Sequence, residues 1–403
     1  MPFELLSAEA PAEERRAGYR WYVGDLRTGK ITRQVDLTGG SWSIPLGGCG
    51  TLEGAFPLRS GEWPSSRSDA AVAKAFLAVA YVNAKGDETF LEGGPIWKSS
   101  FNDESGVLQL GASGLASYWD HRKVIPVLGL GDDAAVQSVT YTGEQRGLIA
   151  KRLVELAQTH TGGSVPVVMP SDADLGGAGA TYTQTYPGYE LGWVGERLRQ
   201  LSELGETDDE AGGPEVQFVP RRRSDDPRYI EWFMRIGVEP DMMLTQLGPS
   251  WVFDRTVPES PVRELNVASD GTQIASRQWA AGQGEAEGRP IVWVDDSTLI
   301  DQGFPLLEGE VTSTDTVSTV ETLKSHASGA LAYSQRPVET WTLVVSRDAR
   351  PSVARYAPGD WVTVHVADHI YIPDGDYEMR LLLMSGDTSD GVALSLSERL
   401  GEI

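Results

Sequence analysis

Short apolar runs cut by glycine-rich turns dominate the first 120 positions of the chain. Arg20–Arg27 and Ile31–Leu37 are β-prone runs separated by Thr28-Gly29-Lys30, the spacing of a hairpin. Thr51–Leu58, Ala75–Asn83, Phe90–Trp97 and Val107–Leu110 continue the series, with Lys85-Gly86-Asp87 as a second tight turn. The polar stretch from Ser60 to Ala70, holding Pro64 and several serines, reads as a surface loop. This part is therefore expected to be antiparallel β-structure.

The period then changes. Thr142-Gly143-Glu144-Gln145 has the form of a capping box, and Leu148, Ile149, Leu153 and Leu156 follow at helical spacing. Leu191, Val194, Leu198, Leu201 and Leu204 predict a second amphipathic helix. Between them Thr161–Pro187, rich in Gly, Pro and Thr, is expected to be irregular apart from a strand at Val165–Met169. The acidic, glycine-rich Glu206–Pro214 reads as a linker.

Beyond it the β-pattern resumes at Glu215–Val219, Arg228–Arg235, Ser250–Asp254, Val262–Ala268 and Gln273–Ala280. Ser318 and Glu321 suggest a capping box for a helix carrying Val317, Val320, Leu323, Ala327 and Leu331 on one face. Four strand-like runs close the chain: Thr340–Ser346, Trp361–Val366, Tyr377–Met384 and Val392–Ser397. The expected organisation is a β-domain at 1–120, an α/β domain at 121–212, and a second β-domain at 213–285 and 336–403, interrupted by a helix-containing insertion at 286–335. The fold class is mainly β with α+β insertions. Two β-domains of similar size raise an internal duplication, although no residue-level repeat is visible.

Composition narrows the function. Hydrophobic residues at 40% and charged residues at 23% fit a packed globular chain. A formal charge of −24 disfavours binding to nucleic acid or to an anionic membrane surface through clustered Lys and Arg. The longest apolar run, near Ala71–Val82, is broken by Lys74 and too short to span a bilayer, so no stable membrane association is expected. The acidic start, Met1-Pro2-Phe3-Glu4, lacks the positive region of a signal peptide. A single cysteine, Cys49, excludes an intrachain disulfide and a multi-cysteine metal site.

Several constellations invite chemistry, and each has a plainer reading. His365-Val366-Ala367-Asp368-His369 offers two imidazoles and a carboxylate, but on a strand His365 faces away from Val364 and Val366, and His369 falls in the turn beyond; a surface hairpin is favoured over a metal site. Asp120-His121 is two-thirds of a triad without a nucleophile elbow, and Cys49 lies in the turn Gly47-Gly48-Cys49-Gly50, where a small buried role is favoured. Gly129-Leu130-Gly131 and Gly176-Gly177-Ala178-Gly179 are incomplete as phosphate loops. Paired acids such as Asp132-Asp133 and Asp295-Asp296 arise readily among 58 acidic residues. The one basic cluster, Arg221-Arg222-Arg223, suits salt bridges at an acidic subunit interface better than nucleic acid. Most of the 12 tryptophans, Trp232 and Trp341 among them, are expected to anchor cores or interfaces; exposed, they would make a carbohydrate platform. No catalytic residue, cofactor or metal is assigned.

One resemblance runs along nearly the whole chain. Arg20-Trp21-Tyr22-Val23-Gly24-Asp25-Leu26-Arg27-Thr28-Gly29, followed by Leu37-Thr38-Gly39-Gly40-Ser41-Trp42, resembles the opening of minor tail proteins from long-tailed phages of actinobacteria. Gly94-Pro95-Ile96-Trp97 and Ala116-Ser117-Tyr118-Trp119-Asp120-His121-Arg122 are similar to that family's internal segments. Tyr356-Ala357-Pro358-Gly359-Asp360, Ile372-Pro373-Asp374-Gly375 and Ser385-Gly386-Asp387 look like its closing hairpins. Each motif is turn and strand chemistry, and their order carries the weight. The family is similar in fold to the baseplate hub of contractile tails. That likeness implies two tail-tube-like β-barrel or sandwich domains per chain and a non-enzymatic homotrimer at the virion's tail tip, assembled in the host cytoplasm. The partners it implies are a distal tail protein ring, the tape measure protein, and tail fibre or receptor-binding proteins, with DNA only in transit. The rival expectations are a tail-tip peptidoglycan hydrolase and a carbohydrate-binding receptor-recognition protein.

Overall fold

The computed structural model describes residues 17–58, 67–176, 180–202, 204, 213–238, 242–282, 284, 286–311, 320–334 and 338–398. The first part contains β1 (Gly18–Asp25), β2 (Ile31–Val35), β3 (Thr38–Pro45), β4 (Thr51–Pro57), β5 (Ala75–Val82), β6 (Glu88–Asn102) and β7 (Val107–Ser113). The middle adds β8 (Ser138–Glu144), α1 (Arg146–Thr159), β9 (Val167–Val168), α2 (Asp172–Leu175), β10 (Tyr182–Pro187), α3 (Val194–Ser202), β11 (Val216–Arg222) and β12 (Ile230–Ile236). Then come β13 (Trp251–Asp254), β14 (Val262–Asp270), β15 (Arg277–Ala281), β16 (Ile291–Asp295), α4 (Thr298–Asp301), β17 (Glu308–Val311) and α5 (Val320–Ser334). The last strands are β18 (Val338–Ser346), β19 (Trp361–Val366), β20 (Gly375–Asp387) and β21 (Gly391–Glu398). The mainly β class expected from the sequence is what the chain adopts.

Thirteen strands from both ends of the chain form one hydrogen-bonded sheet in the order β14-β18-β21-β20-β3-β4-β7-β6-β5-β1-β2, with β13 and β19 branching from β20. The halves meet where β20 runs antiparallel to β3, with Trp42 opposite Gly386 and Ser41 opposite Asp387. Glycine is required there: a Cβ on residue 386 would lie 2.8 Å from the Trp42 ring. β6 is long enough to serve two neighbours, its first half pairing β5 and its second half β7.

Two apolar cores flank this arrangement. The larger joins the two β halves, with Trp21, Trp42, Leu52 and Leu77 from the first and Phe253, Trp341, Leu343 and Leu396 from the second. The other lies between the outer face of β1, β5 and β6 and the middle segment, where Tyr22, Phe76 and Phe90 meet Trp119, Ile149, Leu153, Leu198, Phe218 and Trp232. This explains why every residue of β5 is buried: both faces of the strand are covered, so its sequence is continuously apolar rather than alternating. Trp232 closes the second core edge-on to Phe76, and its indole N–H donates to the Gly93 carbonyl at 2.8 Å.

Several local expectations are corrected by pairing that the sequence does not spell out. Thr142 to Glu144 belong to β8 rather than to a capping box, because β8 pairs antiparallel with β10; α1 follows Gln145, whose side chain makes no cap bond. β10 itself lies in the stretch expected to be irregular. α3 begins only at Val194; Leu191 precedes it in a left-handed conformation and Leu204 is exposed. β11 and β12, expected with the second β-domain, pair with each other and, through β12, parallel to β9 of the middle segment. β15, expected with them, instead joins β16 and β17 of the insertion, covered by Leu323, Ala327 and Leu331 of α5. Val320, the first residue of α5, is exposed. Ser318 and most of Glu206–Pro214 lie outside the described residues.

Candidate functional site

The arginine cluster sits at the end of β11, where the β11–β12 hairpin puts each side chain beside a carboxylate of the same chain. Arg221 Nε lies 2.8 Å from Glu231 Oε1, with its guanidinium over the Phe233 ring. Arg222 Nε lies 2.6 Å from Glu88 Oε2 and its head covers Tyr22 and Phe90, tying the hairpin to β6. Arg223 is held bidentately by Asp225, at 3.0 and 2.5 Å, and lies over Tyr229. All three forks therefore have partners within their own chain. The interface assigned to them from sequence would have to share these groups with a neighbour, and Arg221, with about half its side chain exposed at 49%, is the most available.

The histidine constellations separate. His365 Nδ1 pairs with the Asp376 carboxylate across β19 and β20, which raises the imidazole above its ordinary range. His369 instead accepts from the backbone N–H groups of Tyr371 and Ile372 through Nδ1, fixing the turn. Among the described residues no three metal-ligating side chains converge. Asp120 and His121 also part: His121 stacks on Trp97 with ring centroids 4.3 Å apart. Asp120 Oδ1 lies 2.8 Å from Arg199 Nη1, close but not aligned as a hydrogen bond. The loop Gly176–Gly179 lies partly outside the described residues.

A concavity lies between the β3–β4 loop and the middle segment. Its volume is about 610 Å³, and its walls include Leu46, Cys49, Trp119, Leu198 and Phe218, with Arg199 and Glu215 at polar positions. Cys49 is half-buried rather than fully buried. Burial pushes its thiol up to about 11, with the Asp120 carboxylate adding to the effect, so at neutral pH it is a protonated thiol and a poor nucleophile. Behind the loop lies Glu92, a buried carboxyl that accepts from the Gly93 N–H at 2.8 Å. Burial raises its pKa to about 8 despite that hydrogen bond. Its Oε2 occupies the space a Cβ on Gly50 would fill, at 2.1 Å. None of this was legible locally, because the walls come from segments far apart in sequence.

No protein-family model and no curated relative matches the chain. Solved structures do. A tail protein from Neisseria meningitidis MC58 superposes with a TM-score of 0.53 at 14% identity, covering 95% of this chain and 96% of that one. The 43 kDa tail protein of prophage MuSo2 from Shewanella oneidensis gives 0.54 at 13% identity, covering 95% and 98%. The chain has the fold of a phage tail protein. At such identities the likeness is one of backbone course along the full length.

Proposed function

We propose that the chain is a structural, non-enzymatic subunit of a phage tail tip. In this reading three copies form a ring that closes the distal end of the tail tube, bears the fibre or receptor-binding proteins below it and lets DNA pass. The observation that carries it is the full-length likeness to two phage tail proteins, with at least 95% of each chain covered. The two β halves joined through β3 and β20 support it. Three chains with two such halves each present six similar modules, which lets a threefold ring sit on a sixfold tube without empty sites. The charge of −24 is compatible with a passage that does not retain phosphates. Arg221 is the proposed contact to an acidic neighbour. The test is light scattering on the purified protein together with electron microscopy of virions labelled against it. A trimer and label at the tail tip are expected; a stable monomer at assembly-like concentrations, or label on the head, would overturn the reading.

A further inference from the structure

The insertion carries an open sheet face, on the side of β15, β16 and β17 away from α5. β15 lies between β16 and β17, with Trp279 opposite Trp293 on one side and opposite Glu310 on the other, and Arg277 likewise between Asp295 and Glu308. Gln278, Ala280 and Val292 point the other way and are buried on the α5 side. The open face therefore has an ordered composition. One row is Asp295, Arg277 and Glu308, the next is Trp293, Trp279 and Glu310, and the third begins with Ile291 opposite Ala281.

Its groups are held in place. Arg277 Nε lies 2.6 Å from Asp295 Oδ1, and its Nη1 lies 3.3 Å from Glu308 Oε1. The Trp279 indole N–H donates to the same Glu308 oxygen at 3.0 Å. The two indoles lie 5.4 Å apart between centroids, tilted by 44°, and Trp293 is 53% exposed. Glu310 is exposed at the end of the tryptophan row with no ion-pair partner among the described residues.

We infer that this face binds a neutral, pyranose-containing glycan. Two adjacent tilted indoles offer flat, rigid apolar surface to the C–H faces of consecutive sugar rings, at small cost in side-chain entropy. The carboxylates at the rim accept from sugar hydroxyls, which supply donors in a way an aliphatic partner cannot. Three carboxylates against one guanidinium leave the face negative, which disfavours polyanions such as nucleic acid or phosphate-bearing polymers. Only the source of the sugar, a host surface, rests on the tail-tip reading; binding itself does not.

The test uses the full chain and its tryptophan fluorescence, titrated with maltohexaose, cellohexaose and the N-acetylglucosamine hexamer, with dextran sulfate as the polyanion. A saturable response to at least one neutral hexamer is expected. Trp293→Ala and Trp279→Ala should each weaken it about tenfold, and Glu310→Gln about threefold. Tyr371→Ala, which removes another exposed aromatic ring far along the chain, should leave it unchanged. No response to any neutral hexamer, equal binding by the tryptophan variants, or preference for dextran sulfate overturns the inference. So does a change of oligomeric mass in Trp293→Ala, which would make the face a contact between copies. Labelling of virions tests the tail-tip reading separately, so the two fail independently.

Discussion

The Arg380 guanidinium grips the Glu215 carboxylate with two parallel bonds, Nη1 to Oε1 at 2.7 Å and Nη2 to Oε2 at 2.6 Å. The same carboxylate accepts from the Leu244 backbone N–H at 2.7 Å, and Arg380 also reaches the carbonyls of Gly359 and Leu244. One ion pair thus fastens the start of β11 to β20 of the large sheet. Both side chains are largely buried, so removing one partner leaves the other charge with poor solvation. Glu215→Gln should lower the unfolding free energy by about 3 kcal/mol, read by urea denaturation. A loss no larger than that of an exposed pair such as Arg263–Asp390 would contradict this placement.

Glu92 predicts a pH signature. Burial holds its folded pKa near 8 against an ordinary 4.5, so the folded state keeps a proton that the unfolded chain releases. Between these values stability falls as pH rises, by at most about 1.4 kcal/mol per unit, and above the upper one this contribution levels off. Glu92→Gln should remove that slope. The measurement is the difference in unfolding free energy between wild type and variant across pH 5 to 9, and a difference independent of pH would refute the assignment.

Gly386→Ala should act at the seam between the two β halves. The new methyl would press on the Trp42 ring, which is buried and has little freedom to move. A cost of about 1–3 kcal/mol is expected, with loss of near-ultraviolet dichroism from the displaced indole. An unperturbed melting temperature would mean that β3 and β20 separate more easily than their register suggests.

His365 should titrate above the ordinary histidine range because Asp376 favours its charged form. Whatever this pair adds to stability is present at low pH and lost as pH rises through the raised value. In Asp376→Asn the imidazole should return towards its ordinary 6.5, followed by proton NMR. An unchanged titration would show that Asp376 is not the partner in solution.

The strands were legible where burial is simple. Ala75–Val82 is apolar throughout because both its faces are covered, and Trp361–Val366 alternates because only one is. What could not be read was which strands pair. Val216–Arg222 looks like any strand, and its partnership with Ile230–Ile236 and, beyond that, Val167–Val168 depends on the second core. Thr142 and Glu144 have capping chemistry but sit opposite Thr183 and Tyr182, where β-pairing prevailed. Of the candidate site, the arginines were visible as a cluster, yet Glu88, which holds Arg222, is remote in sequence. The cavity beside Cys49 and the tryptophan face of the insertion were equally invisible, since each is assembled from separated strands.

The seam between β3 and β20 also sets an order of events during synthesis. Ser41 leaves the ribosome early and its partner Asp387 hundreds of residues later, so for most of translation one edge of the nascent sheet is bare. Long-range closure of this kind is slow, and a naked strand edge is a template for pairing with other chains. In a cell making many copies at once, the nascent chains are most exposed to mispairing before Gly375–Asp387 emerges. Slowing initiation, or supplying a holdase that shields strand edges, should therefore raise the soluble yield more than stabilising the finished fold.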